Sequence, residues 1–199
     1  IQYGSGQEYD EAFSTHYDYL STVLDDFVRM ETPVSDGLYL QNLSFEYGGC
    51  HFVVVDFLSR EHGNEGADLQ DFEGGSWPWF KDDITAAANG PAERINVPSI
   101  DQSLMPEADM SQIGTFLCPL RDHVATSYGG HIHQNWQWEV TCETGEPIYD
   151  EFSTDETWNG LGPPESEDDR VTIRVVAVHR SDDGFFYEQE ILEEPFPSE

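Results

Sequence analysis

The sequence predicts a layered α/β domain with a mixed sheet. Two apolar stripes at three- and four-residue spacing mark helices near residues 8–30 and 77–88. Short runs rich in Val, Ile, Phe and Tyr mark strands between and after them. The resulting order, α, β-β, α, β, α, β, β-β, is that of helices packed on a sheet rather than of a sandwich or a bundle. At 199 residues the chain fits one domain over its whole length, 1–199, and can bury a full core.

In residues 8–30, Phe13, Tyr17, Leu20, Leu24, Phe27 and Val28 form one apolar stripe. Thr32-Pro33 and Ser35-Asp36-Gly37 stop it. Residues 38–47 alternate apolar and polar, Gly48-Gly49 turns the chain, and residues 51–57 are strongly β-prone, so the segment reads as a hairpin. Phe52-Val53-Val54-Val55 lacks alternation, which predicts a strand covered on both faces. Residues 61–75 read as an acidic, glycine-containing loop. In residues 77–88, Trp79, Phe80, Ile84 and Ala87 are expected to face inward, and Asn89-Gly90-Pro91 ends the helix. Residues 94–97 make a short strand. Residues 104–113 read as irregular, with a short helix within 114–123. Strands are expected at 124–128 and 135–141, a loop-rich stretch at 143–169, and a last hairpin from 171–179 and 185–191 across Ser181-Asp182-Asp183-Gly184.

The chain carries 40 Asp and Glu against 8 Lys and Arg, a formal charge of −32, and Lys81 is its single lysine. Acidity of this kind accompanies disorder in some chains, but 38% hydrophobic residues argue for a packed interior. The acids are scattered rather than blocked. Such a surface repels itself at low ionic strength and is relieved by screening, which points to a halophile protein working in molar salt, with a lean to the cell surface or exterior. The same field opposes binding of nucleic acid or of an anionic membrane. No apolar run approaches the ~18 residues of a spanning helix. The chain starts at Ile1, which fits a processed or truncated product. Cys50, Cys118 and Cys142 follow no metal or redox spacing; the odd count leaves at least one thiol free unless chains pair, and small buried apolar residues are the expected role.

Gly130-His131-Ile132-His133 is the stretch that points most directly to chemistry. It follows a strand-like run and precedes Trp136-Gln137-Trp138. In a strand, residues i and i+2 share a face, so two imidazoles at that spacing reach one metal centre with little rearrangement. Gly129-Gly130 allows a sharp exit. Neutral imidazole ligates zinc, iron, copper and nickel. Spacing alone fits a polar loop pair better. Among the other histidines, His51 is expected at a sheet edge, His16 on a helix surface, His62 and His123 in loops, and His179 at a strand end. Asp82-Asp83 and Asp168-Asp169 read as solvated acidic faces. Trp136 and Trp138 fit either a substrate-pocket wall or core packing, with packing favoured.

With the elements placed, the chain resembles the C-terminal half of a calcineurin-like metallophosphoesterase from about Asp36 onward. Tyr47-Gly48-Gly49-Cys50-His51-Phe52-Val53-Val54-Val55-Asp56 resembles the family's hairpin into a buried strand ending in Asp. Trp77-Pro78-Trp79-Phe80-Lys81-Asp82-Asp83-Ile84 resembles its tryptophan-led acidic helix, and Gly130-His131-Ile132-His133 its final metal motif. Thr157-Trp158 and the strand at 172–178 resemble the closing strands of its second sheet. The family's earlier motifs (Asp-x-His, a Gly-Asp with the bridging Asp, and Gly-Asn-His) are absent, and in a whole enzyme would lie before Ile1. Where the family carries a further metal-binding His, residues 95–104 hold none. Asp101 stands there as an oxygen ligand or, by ordinary preference, a helix cap or solvated carboxylate.

The resemblance implies a layered α/β/β/α-type fold and a phosphoesterase using divalent zinc, manganese or iron, with His131 and His133 on opposite metals and Asp101 as a weaker ligand; Trp136, close after the pair, is the candidate wall of a substrate pocket. It implies a dinuclear centre only if the N-terminal half, in the same or another chain, supplies the remaining ligands; as it stands the site is incomplete. The alternative is a non-catalytic cell-envelope or virion protein adapted to brine.

Overall fold

The computed structural model describes residues 6–31, 39–57, 65–91, 94–98, 107–129, 136–153, 170–181 and 184–195. They form helices α1 (Gly6–Val23), α2 (Ser76–Asn89) and α3 (Glu107–Leu117), and strands β1 (Asp25–Arg29), β2 (Leu43–Tyr47), β3 (Cys50–Val54), β4 (Arg94–Pro98), β5 (Val124–Gly129), β6 (Trp136–Thr141), β7 (Pro147–Ser153), β8 (Arg170–Ser181) and β9 (Gly184–Pro195). The expected mixed α/β architecture is present. A seven-stranded sheet runs β1-β2-β3-β4-β5-β7-β6, and β8 and β9 make a separate hairpin. The pairs β3–β4, β4–β5 and β5–β7 are parallel, while β1–β2, β2–β3 and β6–β7 are antiparallel. β6 therefore lies at the edge, and the chain turns back at Gly145 to insert β7 between β6 and β5.

The predicted Gly-Gly hairpin forms as a two-residue turn with Tyr47 opposite Cys50. Gly48 and Gly49 both take positive φ, +61° and +87°, which that turn demands. β3 lies inside the sheet, and its faces are not equal. His51, Val53, Val55 and Phe57 are buried, whereas Phe52, Val54 and Asp56 are half-buried. Full cover on both faces was the expectation from the run of apolar residues; α2 covers one face closely, while the other is shielded in part by the Phe45–Phe52 stack, with ring centroids 5.0 Å apart.

α2 supplies Trp77, Phe80, Ile84 and Ala87 to the core, and Trp79 packs at its margin rather than inside. Phe57, Trp77, Phe80 and Phe116 meet in tilted, edge-to-face and stacked pairs at 5.6–6.2 Å. Ile113 and Leu117 of α3, Val140 of β6 and Tyr149 of β7 complete the cluster.

Four expectations about the elements and the cysteines need correction. The first helix ends at Val23, not near Met30. Leu24 still donates to the Leu20 carbonyl, but Asp25, Val28 and Arg29 pair with Glu46, Ser44 and Leu43 of β2 across a bulge at Asp26 and Phe27, so the chain continues as an edge strand. Residues 104–113 were expected to be irregular, yet α3 spans most of them; Met110, Ile113 and Leu117 carry a helical spacing that Gly114 and the flanking polar residues obscure. The loop-rich stretch holds β7, in which Ile148-Tyr149 and Glu151-Phe152-Ser153 are buried at successive positions while Asp150 is exposed, so no period of two shows. Cys118 and Cys142 are joined in a disulfide rather than acting as separate apolar fillers, and Cys50 is the free, buried thiol. The bond ties the end of α3 to the end of β6.

Tyr149 joins the core and Asp150 and Phe152 line a cleft beside Arg174 on the opposite side, so Glu151, which alternates with them, shares the face of Tyr149. There the β8–β9 hairpin approaches the sheet through Arg174. Arg174 donates to the Ser153 carbonyl (2.8 Å) and to Gln189 (2.9 Å), and its guanidinium lies 5.2 Å from the Phe152 ring. α1 is held through Arg29, which pairs with Asp10 and lies 4.0 Å over the Tyr17 ring. Among the described residues no helix is long and apolar enough to cross a membrane.

Candidate functional site

Of the four mutually parallel strands, β3, β4 and β5 deliver the chain to one edge of the sheet beside candidate ligands. In open α/β sheets this carboxyl edge is where ligands bind. β3 ends at Val54, two residues before Asp56. β4 ends at Pro98, three residues before Asp101, and β5 at Gly129, two before His131. Asp101, His131 and His133 themselves lie outside the described residues, as does the side chain of Trp136, the first residue of β6. Trp138 packs against the core, as expected.

Asp56 is anchored. Its amide donates to Asn42 Oδ1 (2.7 Å), its carbonyl accepts from Ser76 Oγ (2.7 Å), and its carboxylate accepts from the Gln41 amide (3.4 Å). Asn42 and Ser76 are fully buried and bonded to each other (2.9 Å), so β2, the end of β3 and the start of α2 are fixed as one unit. Gly75 closes that corner: a Cβ there would lie 2.8 Å from the Gly66 carbonyl oxygen.

A second polar group lies in the same half of the sheet. His51 is buried in β3, not at a sheet edge as its position beside the turn suggested. Its Nδ1 lies 2.9 Å from Glu46 and its Nε2 2.7 Å from Asp83. Asp83 also accepts from Ser44 Oγ (2.7 Å), so it is not the solvated acid its Asp-Asp context implied; it faces the sheet from α2. Both ring nitrogens face carboxylates, and only the imidazolium can donate to both. Burial alone pushes the His51 pKa down, but the hydrogen bond and charge of Asp83, and then those of Glu46, outweigh it and leave the pKa raised. Ser44 bonds Asp83 rather than the imidazole, so the group is not arranged as a nucleophile and base. It clamps the β2–β3 hairpin to α2.

On the opposite face, the hairpin and the sheet flank an open cleft of about 560 Å³, lined by Thr126, Gln137, Asp150, Phe152, Arg174 and Gln189 among others. Burial holds the Arg174 pKa below its usual value and raises that of Tyr128. Among the described residues, no three His, Cys, Asp or Glu side chains are grouped to hold a metal. No protein-family model matches the chain, and no curated protein is significantly similar to it.

Sequence reasoning missed the His51 clamp and the buried Glu151. The alternation His51, Val53, Val55, Phe57 was the available signal for His51. Glu151 lay in a segment read as loop, where a carboxylate needs no explanation.

Proposed function

We propose that this chain is the C-terminal half of a calcineurin-like metallophosphoesterase, acting in metal-dependent hydrolysis of phosphate esters in high salt. One observation carries the reading: three adjacent parallel strands, β3, β4 and β5, end within three residues of Asp56, Asp101 and His131. Three residues of chain reach at most about 10 Å, so candidate ligands are tethered close to one edge of the sheet. Helices on one face and the β8–β9 hairpin on the other support the layered arrangement the resemblance implies.

His131 and His133 would each offer an imidazole nitrogen, and Asp101 a carboxylate oxygen. This donor set suits zinc, manganese or iron, but it is too small for two ions, so the remaining ligands would come from the N-terminal half or another chain. When bound, such a metal pair activates a water and neutralises the phosphoryl oxygens. The Asn42–Ser76 unit would keep the end of β3 rigid beneath the centre.

Metal analysis and hydrolysis of a generic phosphate ester test this, with the chain alone and joined to its encoded upstream segment. The joined protein is expected to bind divalent metal and hydrolyse the ester, and His131→Ala to lower both by on the order of 100-fold or more. Full activity after that substitution would remove the histidines from catalysis. Absence of metal and of activity in the joined protein would favour the non-catalytic structural alternative.

A further inference from the structure

We propose that Ser127, Glu151 and Ser153 form a buried site for a monovalent cation, sodium or potassium, between β5 and β7. Ser127 pairs directly with Glu151 across the parallel ladder, and Gly129 pairs with Ser153. Neighbouring strands lie about 4.8 Å apart, and i and i+2 share a face, so the three side chains stand side by side on the helix-facing side. Trp138 of β6 pairs with Glu151 from the other flank and packs into the core, closing the group on an apolar neighbour. All three side chains are removed from solvent: Ser127 and Glu151 are 0% exposed and Ser153 1%. Neither Ser127 Oγ nor Ser153 Oγ has a hydrogen-bond partner among the described residues. Hydroxyls so deeply buried are almost always satisfied.

The chemistry of the group selects the ligand. Three oxygen-bearing side chains, one of them a carboxylate, form a hard donor set and repel an anion. A divalent ion is ordinarily held by more oxygens and several carboxylates, whereas a single carboxylate with neutral hydroxyls matches one positive charge. In the molar salt for which the −32 charge argues, even a weak site of this kind stays filled. The site is independent of the phosphoesterase reading and shares no residue with it.

The test is the melting temperature of the intact chain in sodium, potassium and tetramethylammonium chloride at equal ionic strength. General screening is the same in all three; an occupied site favours the small ions. With salt at about ten times the dissociation constant, the shift is roughly 3–6 °C. Ser127→Ala and Ser153→Ala, which remove a ligand without burying a new polar group, are expected to shrink the difference, and Glu151→Gln to abolish it. Equal melting in the three salts, or an unchanged difference in both serine variants, overturns the proposal and leaves a bound water as the partner of the hydroxyls. If Glu151→Gln does not fold, thallium(I) soaked into crystals of the wild-type chain decides: an anomalous peak between Ser127 and Ser153 supports the site, and water alone there removes it.

Discussion

Replacing His51 by leucine is the sharpest test of how the first half of the sheet is held. The substitution removes both donors at once and leaves the Glu46 and Asp83 carboxylates facing an apolar side chain. Removing one partner of a buried charge pair costs ~3–5 kcal/mol. Glu46 and Asp83 keep 23% and 14% of their side-chain surface, so water returns to them in part and the lower end applies, about 3 kcal/mol. For a domain of this size that lowers the melting temperature by roughly 6–12 °C. The difference also depends on pH in a fixed direction. The folded-state pKa of His51 is raised above its ordinary 6.5, so its stabilising contribution is complete below about 6.5 and fades as pH climbs through the folded value. Urea unfolding of wild type and His51→Leu across neutral to alkaline pH reads both effects. A gap that stays constant or widens with rising pH would refute the imidazolium clamp. So would a total loss well under 1 kcal/mol. In Asp83→Asn the wild-type pH dependence is expected to be weaker, because the stronger of the two partners is gone.

Reducing the Cys118–Cys142 bond, or replacing both cysteines by serine, is expected to cost about 3.5 kcal/mol from the chain entropy of the loop closed across a separation of 24 residues, measured by denaturant titration with and without reductant. Gly75→Ala should destabilise by roughly 1–3 kcal/mol, because its Cβ would press on the Gly66 and Phe72 carbonyl oxygens, both backbone atoms with little room to move; a neutral result by thermal melting would place that corner elsewhere. Raising potassium chloride from low to molar concentration should raise the melting temperature, since −32 of formal charge is then screened; an equal or higher midpoint at low salt would remove the halophile argument.

The sequence by itself determined the elements whose signals are local. Gly48-Gly49 specified its hairpin because two successive positive φ angles are open to glycine, and Trp77, Phe80, Ile84 and Ala87 marked α2 because a helix repeats its buried face at that spacing. The acidic surface was equally plain. The extent of α1 was not, because the stripe through Leu24 to Val28 suits helix and strand alike until Asp25, Val28 and Arg29 pair with β2. β7 was invisible for the opposite reason: a strand inserted between two others, with buried residues at successive positions, loses the alternation by which a strand is read. Only the tertiary structure joined Cys118 to Cys142, set His51 between carboxylates from β2 and α2, and laid Ser127 beside Glu151. The Glu46–His51 pair follows from the hairpin, but His51 and Asp83 lie 32 positions apart and Cys118 and Cys142 24, and such distances along the chain are closed by strand register and helix packing rather than by any local pattern of residues.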